Sequence, residues 1–142
     1  RGRESILRGR DYAPSMSSKL AQANDIAYVV FRVVVAVMFV MHGLQKFGLL
    51  GGQMQPLMSL MGVAGIIEVV GGLLLVIGLW TRVVALITAV DMVVAYGMFH
   101  LPQGLNPLAN KGELALLYFA AFLVLAAYGA GRYSVDATWK RA

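Results

Sequence analysis

Three ionisable residues stand in stretches otherwise suited to hydrocarbon: Arg32 in "VVFRVVVAV", Glu68 in "GIIEVVGG" and Asp91 in "ITAVDMVVA". A charge at the centre of a lipid-facing helix costs about 2.5–3.5 kcal/mol on insertion scales, so such groups turn into the protein and pair. The planar guanidinium fork serves two carboxylates at once. The expected arrangement is therefore Arg32 between Glu68 and Asp91 in one buried polar cluster near mid-bilayer. It carries one negative charge in excess, which a proton on either carboxyl would remove. Three uses of such a cluster stay open at the level of sequence: an ionic clamp that fixes helix register, a path for protons or substrate, and a contact for a quinone or other ligand.

A second polar set belongs to the far ends of the same segments. His42 and Lys46 close the first apolar stretch, His100 closes the third and Glu113 opens the fourth, so all four are expected at one mouth. Arg32, Phe39 and Lys46 follow in steps of seven, and at about 100° per residue His42 falls within roughly 80° of that stripe. Lys46 also suits a snorkelling role, and "NKGE" puts Asn110 and Glu113 at the N-cap and N3 spacing of a variant capping box. Two histidines on bundled helices raise the question of axial haem ligation. Asp91 and His100 are nine residues apart, however, and on a regular helix they project to opposite sides, so a haem is not expected beside the carboxylates. No HxxH, HExxH or Glu-x-x-His spacing is present, and no metal site is expected. With no cysteine, the chain has no thiol or Cys-ligated iron–sulfur chemistry of its own.

The elements that must position these groups are membrane helices. Of 142 residues, 59% are hydrophobic and 13% charged, against roughly a quarter charged in a soluble domain. Apolar segments at 27–47, 56–79, 83–101 and 114–128 each approach the ~20 residues that cross ~30 Å of hydrocarbon as a helix. The alternating pattern of barrel strands is absent from them. Short links make sequential helices antiparallel neighbours. The expected fold is all-α, an integral-membrane four-helix antiparallel bundle over 25–131, with a basic polar tail at 1–24 and a further segment at 132–142. On the second helix Ala64, Gly65, Gly71 and Gly72 fall within roughly 60° of Glu68, and a face of small residues is what close helix approach in a membrane requires. Gly65, Gly71 and Gly72 are thus candidate packing positions.

Charge sets the orientation. Arg1, Arg3, Arg8, Arg10, Lys19, Arg82, Arg132, Lys140 and Arg141 fall with the termini, and only Lys46 and Lys111 fall opposite. By the positive-inside rule both termini are expected in the cytoplasm of a multi-pass inner-membrane protein, with Trp80, Tyr133 and Trp139 in the aromatic belt. The tail shows no signal-peptide pattern and is expected to stay attached. It suits anionic headgroups; nothing in it reads nucleic acid, and no nucleic-acid partner is expected.

In order and spacing, "MHGLQKFG", "GIIEVVGGLLLVIGLWTR", "AVDMVVAY", "NKGELALLYF" and "GAGRYSVDA" resemble the DoxX family of small four-helix bacterial membrane proteins, over residues 26–137. By that resemblance Glu68, Asp91, Glu113 and the segment holding Arg132, Tyr133 and Asp136 stand at positions that typify the family, with His42 and Lys46 in its first motif. The resemblance implies a subunit that anchors a quinone-linked redox or respiratory complex, with other membrane subunits or further copies of itself as partners. A small proton-coupled transporter or channel using the carboxylates is the first alternative, and a quinone-linked oxidoreductase with its own cofactor the second. A non-catalytic subunit, with a quinone as the one candidate contact, is the expectation carried forward.

Overall fold

The computed structural model describes residues 16–139, and all regular structure among them is helical. Helix α1 spans Met16–Lys46, α2 Leu60–Ile77, α3 Thr81–Ala95 and α4 Glu113–Tyr128, and a short α5 covers Val135–Trp139. The boundary expected at residue 24 lies inside α1, because nothing in the polar stretch before Ile26 breaks a helix. The basic residues at 1–10, 140 and 141 lie outside the described residues. Three helical stretches, Ser17–Lys46, Leu60–Ile77 and Thr81–Gln103, are long and apolar enough to cross a membrane. Helix α4 is apolar but has 16 residues, a rise of about 24 Å.

Local chemistry explains the helix ends. The Ser59 hydroxyl caps α2 by accepting from the Gly62 N–H at 3.1 Å. Gly78, in the left-handed region at φ +70°, ends the helix by donating to the carbonyls of Leu74 and Leu75. Beyond Ala95 the third helix widens into a π turn over Tyr96–His100, where the Leu101 N–H reaches back to the Tyr96 carbonyl, and then tightens into a 3-10 turn over Leu101–Gln103 that holds Pro102.

Helix α1 packs along α2, α3 along α4, and α2 against α3. Aromatic rings join α1 to α4, with Phe39 edge-on to Phe122 at 4.7 Å and tilted on Tyr118 at 5.4 Å. The distribution is that of a protein solvated by lipid: Val63, Ile66, Val70 and Leu73 are exposed on α2, while Arg32, Glu68, Thr88 and Asp91 are buried. Glycines make the close contacts. A Cβ on Gly43 would meet Val69 and Glu68 within 3 Å, one on Gly65 would press on Lys46 and Phe47, and one on Gly72 would meet Val40 at 2.5 Å and the Ala36 carbonyl at 3.0 Å. Gly71 performs the same service toward α3, where a Cβ would stand 2.9 Å from Thr88.

At the end where α2 meets α3 and α4 terminates, the chain after α4 folds back as a clasp. Asp136 accepts from the backbone N–H groups of Trp80 and Thr81 at 2.8 and 2.9 Å, capping α3 from 55 residues away, while its own N–H donates to Gly78. Arg32 donates to the carbonyls of Ala130 and Tyr133 and, at 3.4 Å, of Val76. Tyr28 donates to the Gly129 carbonyl at 2.6 Å, and Arg132 pairs with Asp25 at 3.5 Å on the surface.

Replacing Gly72 by Val is expected to cost about 1–3 kcal/mol by overpacking the α1–α2 seam. Gly97→Ala, at a position where a Cβ meets nothing within 4 Å, serves as the control. The midpoint of thermal unfolding in detergent should fall for the first and hold for the second; equal midpoints would contradict the packing described.

Candidate functional site

Nearest the opposite end, the residues that the sequence scatters over four segments come together. Lys46, on the last turn of α1, forms a hydrogen-bonded ion pair with Glu68 of α2, with side chains 20% and 3% exposed respectively. Asp91 of α3 lies within electrostatic reach of both, and Lys46 also acts on His42. Oε2 of Glu68, Oδ2 of Asp91 and the Tyr118 hydroxyl are buried without a hydrogen-bond partner. A buried polar atom left unpaired costs about 1–3 kcal/mol, so these three are where a ligand or water would gain most.

Two cavities meet at His100. One, of about 220 Å³, is lined by Lys46, Met61, Asp91, Phe99 and His100. The other, of about 250 Å³, is lined by His42, Met92, His100, Lys111 and Tyr118, with the His42 ring edge-on to Tyr118 at 5.6 Å. His100 is held between them by a 3.0 Å hydrogen bond from its Nδ1 to the Asn110 carbonyl. Asn110, fully buried, fixes the loop before α4 by donating to the Gly104 carbonyl at 2.6 Å and accepting from the Gly112 N–H at 2.8 Å. A third space, an apolar groove of about 390 Å³ between α2 and α3, runs from Ile67 and Leu86 past Val63 and Val90 to Asp91, its one charged residue. Groove and 220 Å³ chamber share Leu60, Ala64, Asp91 and Val94, so Asp91 stands where a lipid-facing groove joins a polar interior.

A match to the DoxX family covers residues 27–101, from early in α1 through the π turn. The chain belongs to the DoxX family. It is 43% identical over 113 residues to an uncharacterized protein of Haemophilus influenzae, covering 74% of this chain and 84% of that one. It is 31% identical over 126 residues to the inner membrane protein YqjF of Escherichia coli, covering 82% of this chain and 95% of the relative. No solved structure matches. Together with its long apolar helices, the relationship makes this DoxX chain a multi-pass protein of the bacterial inner membrane.

The expected pairing of Arg32 with both carboxylates is not what this DoxX chain shows. All three groups are buried, but no ion pair within 4 Å joins Arg32 to Glu68 or Asp91, and Lys46 takes the place expected for Arg32. The reason is register. The contacts of Gly72 with Ala36 and Val40, and of Gly43 with Glu68 and Val69, bring Arg32 beside Val76 and Gly78, about 12 Å along α2 from Glu68. The opposition of Asp91 and His100 is likewise corrected. The π turn between them widens the helix, and both line one chamber. His42 and His100 do share the second cavity, of about 250 Å³.

Of the other residues singled out, Glu113 is exposed and opens α4 directly, with Gly112 before it and Asn110 two residues earlier still, so the capping-box spacing is not realised. Gly65, Gly71 and Gly72 are buried at helix contacts, and Asp136 and the Tyr133 carbonyl belong to the clasp, 33 residues or more along the chain from His100. Tyr118, Lys111 and Gly43 are the site's additions. Tyr118 reads as one more aromatic in an apolar helix, Lys111 as a loop cation, and Gly43 as part of a helix end; only partners from other helices distinguish them.

Lys46→Met strands the buried Glu68 carboxylate, and removing one partner of a buried pair costs about 3–5 kcal/mol. The double variant Lys46→Met with Glu68→Leu is expected to recover most of that loss in a detergent unfolding assay. Additive losses would show that the two side chains do not act as a pair.

Proposed function

We propose that this DoxX protein is an accessory or anchoring subunit of a quinone-linked redox assembly of the inner membrane. In this reading it folds as a four-helix antiparallel bundle with both termini in the cytoplasm, and its polar chamber receives the headgroup of a quinone-type lipophile arriving along the α2–α3 groove. The observation that carries the reading is the position of Asp91, a buried carboxylate with an unpartnered oxygen at the junction of an apolar groove and a polar chamber. Ligand sites are apolar clefts with few, placed polar groups, and this one has that form.

The donor set suits the ligand. Lys46 has three N–H donors, and one is engaged with Glu68, so a carbonyl oxygen in the chamber finds a donor there. Asp91 accepts from a hydroxyl, and His100 offers a ring nitrogen at the chamber wall. When bound, a quinone supplies two-electron, two-proton redox chemistry. The chain's own residues hold the headgroup and keep acyl chains out of the chamber. Support for the topology comes from charge. Arg82 and Arg132 flank the clasp end, and that end gathers Trp80, Tyr133 and Trp139 on its surface.

Gentle purification followed by mass analysis of attached proteins and extracted lipids is expected to recover a quinone and further membrane subunits. A photoreactive quinone should label residues 60–67 and 86–94, and Asp91→Asn should reduce that labelling roughly fivefold, the loss of one charge-assisted contact. A quinone-free protein purifying alone, with labelling scattered evenly over the lipid face, would end this reading. If Asp91→Asn assembles and labels normally but abolishes proton flux in vesicles, the carboxylates serve a proton-coupled carrier instead.

A further inference from the structure

At the chamber end, the loops that lead into α2 and α4 carry no charge: residues 47–59 and 101–110 contain no Asp, Glu, Lys, Arg or His. Their surface is apolar instead, with Met54, Met58, Leu105 and Leu108 respectively 74%, 95%, 84% and 73% exposed. An apolar surface of this kind marks a contact with protein or membrane. Two further observations say which. First, the backbone of these loops is turned in on itself. Leu49, Gly52, Gln55 and Ser59 donate their N–H groups to the carbonyls of Leu44, Leu49, Lys46 and Pro56, and Gly104 and Asn110 donate to those of Leu101 and Asn106. Three of the chain's four prolines, Pro56, Pro102 and Pro107, also fall here and have no N–H to satisfy. Donors answered within the loop are what a medium poor in water demands. Second, the helices that these loops open are short. Helix α4, of 16 residues, rises about 24 Å, and α2, of 18, about 27 Å, against ~30 Å of hydrocarbon. Tilt only enlarges that shortfall. The clasp end carries Arg82, Arg132 and Asp25 on its surface, which hold it at headgroup level, so the shortfall falls at the chamber end.

We infer that the two loops form an interfacial membrane-binding surface, with their exposed Leu and Met side chains sunk about 5–10 Å below the phosphates of the leaflet at the chamber end. The occupant is lipid, because the loops continue a lipid-facing surface with no charged boundary between: Met58 runs on into Leu60 and Val63 of α2, and Leu101 follows Met98, all of them exposed. The boundary layer still holds water for whatever backbone groups the loops leave unanswered, which the hydrocarbon centre does not. Lys46 and His100, each adjoining one of the loops, then lie at headgroup level or just beneath it, and the chamber they line opens to the lipid interface. The inference is independent of what the chamber binds.

The chain has no cysteine, so a single introduced one is the only labelling site. Met58→Cys and Leu105→Cys each carry a nitroxide on the full chain, reconstituted into vesicles of phosphatidylethanolamine and phosphatidylglycerol. Lys19→Cys, exposed in the polar start of α1, and Val70→Cys, on the exposed face of α2, serve as references for water and hydrocarbon. Power saturation with oxygen and with a water-soluble nickel chelate reads the depth of each label. The Met58→Cys and Leu105→Cys labels are expected to favour oxygen over the chelate and to lie about 5–10 Å below the phosphates, between the two references. Ready relaxation by the chelate, as at Lys19→Cys, places the loops in water and overturns the assignment. Poor access to both reagents means that protein covers the loops, a second copy or another subunit, and overturns it equally.

Discussion

Where Gly43, Gly65 and Gly72 let the backbones of α1 and α2 touch, the two helices can sit in one register only, and that register decides which charges meet. It brings Lys46 to Glu68 and leaves Arg32 a level away, beside the carbonyls at the ends of α2 and α4. Ionisable groups inside a membrane protein must be satisfied within it, and here two solutions coexist. The guanidinium, with five donors in a rigid fork, gathers backbone carbonyls; the flexible ammonium finds a carboxylate. Each choice follows from geometry that a sliding of α1 by one turn would destroy.

The two ends of the protein are built on different principles. At the clasp, long-range hydrogen bonds tie the chain to itself: Asp136 closes the start of α3, Tyr28 and Arg32 close the chain after α4, and the chain folds back onto its own helix ends, with Nε of Arg32 and the Thr81 hydroxyl left unpartnered. At the chamber, polar atoms are left over. Three buried ones lack partners there, among Glu68, Asp91 and Tyr118, and the helix that carries Asp91 and His100 departs from α geometry between them. A π turn lodged inside an otherwise regular helix is a costly feature, often found at functional sites, and here its effect is specific: it turns His100 to the wall shared by two cavities.

Membership of the DoxX family places the chain in the inner membrane and covers the helices that carry Lys46, Glu68, Asp91 and His100, while Tyr118 and the clasp lie beyond the matched residues. The family relationship speaks to fold and location; the chemistry rests on the site. What distinguishes the site from a plain ion pair is its approach. The groove between α2 and α3 is bordered by Val63, Ile67, Leu86 and Val90, residues whose only requirement in lipid is to be apolar, yet it leads to a carboxylate.

Helical class, membrane residence and the glycine face around Glu68 were legible in the amino-acid sequence because each is a local property: length of apolar run, balance of charge, angular spacing on one helix. So was the burial of Arg32, Glu68 and Asp91, since insertion cost alone forces it. Partner choice was not. Depth counted along each apolar run puts Arg32 level with the two carboxylates, but α1 begins at Met16, and its depth is decided by contacts with α2 that no single helix encodes. The facing of His100 escaped for a related reason, because a 3.6-residue period is an assumption about backbone hydrogen bonds, and the change to a π turn ahead of Pro102 alters the period itself. Tertiary structure alone decided which cation answers Glu68, that Asp136 caps a helix 55 residues away, and that Tyr118 joins the site, since each depends on where a second helix stands.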